Sequence, residues 1–135
     1  MWHSCGRVAI GQHFEGKDAK LRKLFRRLFQ MARRFGPVNV YAQKTRIVFQ
    51  TRGRFAGVQV RRHHLDVGLW LKRRREHARL YRIDFYPPKD YVHRLRIADF
   101  AELDPALSSL MREAYQVGCQ EYEDNKRENE RIVHE

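Results

Sequence analysis

Between residues 18 and 35 the apolar positions recur every three or four: Leu21, Leu24, Phe25, Leu28, Phe29, Ala32 and Phe35. At 3.6 residues per turn this spacing lines one side of an α-helix. Asp18 stands where an N-cap or first-turn carboxylate belongs, and Gly36 followed by Pro37 supplies a stop. The opposite side carries Lys20, Arg22, Lys23, Arg26, Arg27, Arg33 and Arg34. It reads as the solvated face of a surface helix or as a contact face.

From Val38 to Ile97 the period changes to two. Apolar and β-branched runs at Val38 to Tyr41, Arg46 to Gln50, Phe55 to Val60, Leu65 to Leu71, Leu80 to Tyr86 and Tyr91 to Ile97 predict five or six short strands. The clearest alternation sends Leu65, Val67, Leu69 and Leu71 inward and Asp66, Gly68 and Trp70 outward. Tyr81, Ile83 and Phe85 alternate in the same way with Arg82 and Asp84. The links Thr51 to Arg54 and Arg61 to His64 are too short for a helical crossover, so neighbouring strands are expected to be antiparallel, in a meander at least through the first half. The longer link Lys72 to Arg79 and the pair Pro87-Pro88 mark breaks.

Asp104 before Pro105 opens a second helix, with Leu107, Leu110, Met111, Ala114, Tyr115 and Gly118 as its apolar stripe. The order of elements predicts an α+β fold, in which an N-terminal and a C-terminal helix cover one face of an antiparallel sheet of five or six strands. At 135 residues and 42% apolar content the chain suits a single domain: an extension over residues 1–17, a core over 18–119 and an acidic tail over 120–135. No apolar run reaches the roughly 18 residues of a membrane span. Two cysteines at opposite ends, Cys5 and Cys119, do not form a secreted disulfide framework, so a cytoplasmic location is expected.

Charge alters this picture. Residues 1–98 carry 24 Lys and Arg against 6 Asp and Glu, a net +18, whereas residues 99–135 carry 4 against 10, a net −6; together they give +12. A field of that sign attracts polyanions, which makes DNA or RNA the first partner to consider. The basic residues expected in or beside strand-connecting turns are Lys44, Arg46, Arg52, Arg54, Arg61, Arg62, Arg73, Arg74 and Arg75. Contacts from such residues to phosphates give affinity with little sequence preference. On the sheet face away from the helices, Trp70, Val48, Gln59, Arg46 and Arg82 mix an aromatic with arginines, an arrangement suited to base stacking or to ordinary solvation.

Two other uses stay open. A pocket near Trp70, Tyr91 and His93, with arginine selecting an anion, makes the chain a small-ligand domain. An acidic C-terminal segment docked on the basic body of its own or another copy makes it a self-associating one.

The runs Phe35-Gly36-Pro37-Val38, Lys44 to Gln50, Arg54-Phe55-Ala56, Leu65 to Leu69, Tyr91 to Arg94, and Leu103-Asp104 with Arg112 to Tyr115 together resemble a bacterial family, the domain of unknown function numbered 5655. The resemblance covers about residues 20 to 120 and implies a compact α+β domain with no established activity, sometimes appended to larger proteins, including some linked to restriction-type DNA systems. Some members carry a zinc-ribbon-like N-terminus, and His3-Ser4-Cys5-Gly6 resembles its second part. With His3, Cys5 and the distant His13, three ligands at most are present where structural zinc takes four, so no metal and no cofactor is assigned.

Signs of catalysis are sparse. No His-Glu-x-x-His, phosphate-cradling glycine loop or nucleophile elbow occurs. Glu15, Asp18, Asp66, Glu76, Asp84 and Asp90 are too scattered along the basic region for a two-metal nuclease. His93 shares strand parity with Tyr91, Leu95 and Ile97, so it reads as a structural histidine or a general base facing the core. The sequence points to a binding module, and no catalytic residue is assigned.

Overall fold

The computed structural model describes residues 9–119. A short 3₁₀ helix, Ile10–Phe14, precedes α1 (Lys20–Arg33). Six strands follow: β1 (Asn39–Ala42), β2 (Ile47–Gln50), β3 (Arg54–Val60), β4 (Leu65–Leu71), β5 (Leu80–Tyr86) and β6 (Asp90–Ile97). A second 3₁₀ turn, Phe100–Glu102, leads into α2 (Pro105–Gly118). The fold is α+β, as the periodicities require.

The helix ends follow from local chemistry. Asp104 caps α2 by accepting a hydrogen bond from the Leu107 amide at 2.9 Å, and Pro105 occupies the first turn, where no amide donor is needed. At the end of α1, Gly36 takes φ +144°, a conformation that L side chains resist. A Cβ there would also lie 2.2 Å from the Tyr115 Oη, whose hydroxyl donates to the Pro37 carbonyl.

All strand pairs are antiparallel, and the order across the sheet is β1-β2-β3-β4-β6-β5. The first four strands form the expected meander. The second half departs from it: β6 inserts between β4 and β5, so the chain from Lys72 to Arg79 recrosses the sheet before β5 begins. Burial explains the exchange. In β6, Val92, His93, Leu95 and Ile97 are buried and span both faces, as an interior strand requires, whereas β5 buries none of its residues fully and belongs at the rim.

Both helices pack on one face, where Leu24, Phe25, Leu28, Leu107, Leu110 and Met111 meet Ile47, Phe49, Val58, Val67, Leu69 and Leu95. Each such side chain contributes about 1.5–3 kcal/mol through burial. A chain of ring contacts, Phe14–Phe25–Phe49–Phe55–Tyr115–Phe35, ties the first 3₁₀ helix to α1, β2, β3 and α2, with centroids 5.5 to 6.2 Å apart. Ile10 and Phe14 belong to this core, so packing reaches into the segment that the sequence sets aside as an extension. Polarity had hidden them, because only two apolar positions of a five-residue turn face inward.

Candidate functional site

The opposite face of the sheet carries the residues of the other strand parity. Cross-strand register aligns Tyr41, Val48, Gly57, Gly68, Arg94 and Arg82 in one row, with Trp70, Val92 and Asp84 in the next. Among the described residues no helix packs here. Val48 and Val92 are buried on this face but stand apart from the core cluster.

Three arginine–aromatic pairs stand on this face. The Arg46 guanidinium lies 5.6 Å from the Trp70 ring centre, Arg54 lies 6.0 Å from Tyr41 and Arg96 lies 4.3 Å from Tyr81. Each pair combines a cation with a π surface. Arg94 and Arg82 add two more charges, organised by Asp84: Arg94 Nε donates to Asp84 Oδ2 at 2.5 Å, and Arg82 Nε lies 2.9 Å from Oδ1. The hydrogen bond from Arg94 holds the Asp84 carboxyl below the usual carboxylate range, so it stays ionised. Tyr81 donates to both oxygens of Asp66 at 2.7 and 2.8 Å, and burial with this bond keeps its phenol protonated.

At the centre of the face lies a polar trough of about 230 Å³. Its floor is Gly57 and Gly68, which pair directly opposite one another on β3 and β4, so no side chain rises between them. Arg46 and Trp70 form one wall, Arg94 another, and Gln59 and Asp66 supply acceptors. Arg46 is braced by its Nε bond to Gln43 Oε1 at 3.0 Å.

The structure distributes the nine basic turn residues over three places. Lys44, Arg46, Arg61 and Arg62 cluster at the end of the sheet holding the β1–β2 and β3–β4 turns, whereas Arg52 and Arg54 lie at the other end. Arg73, Arg74 and Arg75 ride the crossover. Arg73 binds Glu113 of α2 at 2.8 Å, Arg75 binds Ser109 at 3.2 Å, and Arg74 stacks over Tyr91 at 5.5 Å. Of the nine, Arg46 and Arg54 reach the uncovered face, and Arg61 touches its margin through Gln59 at 2.8 Å. Arg94 and Arg96 were not among the sequence candidates, although the alternation of Val92, Arg94 and Arg96 with His93, Leu95 and Ile97 encodes their direction.

The trio Trp70, Tyr91 and His93 is not brought together. Trp70 faces away from the helices, while His93, two residues from Tyr91, points into the core. Its Nε2 accepts the Arg75 amide proton at 2.9 Å, which leaves Nδ1 to donate to the Tyr91 carbonyl at 3.0 Å. With both ring nitrogens engaged and burial lowering its pKa, His93 is a neutral structural brace for the crossover.

His13 Nε2 is 2.8 Å from the Gln43 carbonyl and is likewise part of the framework. His3, Cys5 and the acidic tail 120–135 lie outside the described residues. Among the described residues no cluster of three or more His, Cys, Asp or Glu is placed to hold a metal, and no helix is long and apolar enough to cross a membrane.

The fold and this face define an α+β domain built around a sheet with one side packed by both helices and the other, among the described residues, without a helix. The chain belongs to the family described as domain of unknown function (DUF5655), whose model matches residues 10–118. Neither a curated protein nor a solved structure gives a significant match.

Proposed function

We propose that the domain is a binding module that takes single-stranded nucleic acid across the uncovered face of its sheet. The observation that carries this reading is the set of three arginine–aromatic pairs on one face, flanked by Arg82 and Arg94. Arginine neutralises phosphate and supplies forked donors, while Trp70, Tyr41 and Tyr81 offer surfaces on which any base can stack. The reading shifts the contact from the turn arginines to the strand faces, because Arg73 to Arg75 are already engaged with α2 or with Tyr91. Cysteine usage supports a cytoplasmic setting.

Fluorescence anisotropy with a labelled single-stranded oligonucleotide at low salt tests it. Binding is expected, weakening steeply as salt rises. Trp70→Leu keeps apolar bulk but removes the stacking surface, so it lowers affinity about tenfold. Absence of binding to both DNA and RNA at low salt overturns the proposal.

A second reading rests on the trough itself. The volume of about 230 Å³ between Arg46, Trp70 and Arg94 suits a small anion with a planar group, such as a mononucleotide. It predicts that a mononucleotide competes fully at concentrations where an oligonucleotide of the same base has no advantage.

A further inference from the structure

We infer that β5 is a pairing edge through which two copies of this chain join their sheets into one. β5 bonds to β6 on one side and ends the strand order. It runs seven residues, against four for β1 at the other rim. An exposed edge presents unpaired amides and carbonyls to another strand, and proteins usually blunt it with lysine, proline or brevity. Within Leu80–Tyr86 there is no lysine or proline. Among the described residues the exposed large hydrophobic side chains are Tyr81, Phe85 and Tyr86, at 40%, 47% and 49%, and all three belong to this strand.

The strand is also complementary to itself. In a two-fold antiparallel pair one residue faces its own copy, and residues equally spaced on either side face each other. Centring on Arg82 sets arginine against arginine, and centring on Asp84 sets aspartate against aspartate; like charges directly opposite are unfavourable. Centring on Ile83 places Arg82 opposite Asp84 of the second copy, twice over, with Ile83 against itself. The flanking residues then put aromatic side chains on both faces of the seam, since the irregularity between Leu80 and Arg82 turns Tyr81 toward Asp66 while Phe85 stacks on Tyr91 at 4.9 Å. This register keeps the two uncovered faces on the same side of a twelve-stranded sheet. A second copy is therefore the occupant that the charge pattern selects.

Sedimentation velocity of the full chain across a concentration series tests the inference, with a reversible monomer–dimer equilibrium expected. Arg82→Asp and Asp84→Arg each bring like charges face to face and weaken dimerisation about tenfold. An equimolar mixture of the two variants restores the dimer, because each chain then meets the opposite charge. The double variant R82D/D84R restores it within one chain. Recovery in the mixture also excludes misfolding as the cause of the single-variant loss. A wild-type chain that stays monomeric, a dimer indifferent to both single variants, or a mixture that fails to recover overturns the inference.

Discussion

At the scale of single residues, His93 shows how parity places a side chain without disclosing its role. The alternation of β6 directs it inward, and the structure agrees, but the groups that satisfy it come from the Arg75 amide and its own strand. The first of these is a main-chain donor on a loop that no periodicity can position. Burial holds the His93 pKa below its ordinary 6.5, so the unfolded chain takes up a proton that the folded chain refuses. Its stabilising contribution is therefore full above pH 6.5 and falls as the pH drops through that value toward the lower folded pKa. In thermal melts, His93→Gln is expected to lose about 1–3 kcal/mol at pH 8 and to show a flatter dependence from neutral to about pH 5.5. An unchanged slope contradicts the assignment. Gly36 carries a sharper expectation: Gly36→Ala meets both the φ of +144° and the Tyr115 hydroxyl, and it costs about 2 kcal/mol or more in urea denaturation.

At the scale of elements, strand positions were legible within one or two residues, and the bounds of β4 and β5 match. Alternation reports burial in β4, but in β5 the shift between Leu80 and Arg82 turns Tyr81, expected inward, onto the opposite face against Asp66. Strand order was legible only where links were short. The eight residues of Lys72 to Arg79 fit either a wide turn or a crossover; Arg75 bonded to Ser109 and Arg73 to Glu113 decide in favour of the crossover. The same contacts tie Arg73 and Arg75 to α2, while Arg74 lies over Tyr91. Sequence likewise gave no sign that Gly57 and Gly68 would meet, since that depends on the register of β3 against β4. A Cβ at Gly57 would sit 3.5 Å from Arg46 and 3.6 Å from Trp70, at ordinary contact distance. Gly57→Ala is therefore expected to fold with a melting temperature within a few degrees of wild type. By raising the trough floor it displaces a small anion more than an extended strand. A larger loss for the mononucleotide than for the oligonucleotide in parallel titrations supports the trough as a separate small-ligand site.

At the scale of the whole molecule, the split of charge along the sequence becomes a spatial question. The acidic residues of the second half that are described serve the framework: Asp99 pairs with Lys20, Glu102 and Asp104 with Arg79, and Glu113 with Arg73 and Arg75. These pairs engage Lys20 and the bases of the crossover; the outer side of α1 keeps Arg22, Lys23, Arg26, Arg27, Arg33 and Arg34, and the uncovered face keeps its arginines with Asp66 and Asp84 as local carboxylates. Residues 120–135 add six acidic and three basic side chains, so removing them raises the net charge from +12 to +15. The family match ends at residue 118, ahead of this segment. If the uncovered face recruits polyanions through charge, the truncated chain binds an oligonucleotide about threefold or more tightly at low salt, and the two chains converge as salt screens the difference. Measured side by side, equal affinities at low salt place the tail's charge beyond reach of the face. A gain that survives high salt reports a tail that covers the face by contact, because screening removes a distant field but leaves a packed interface in place.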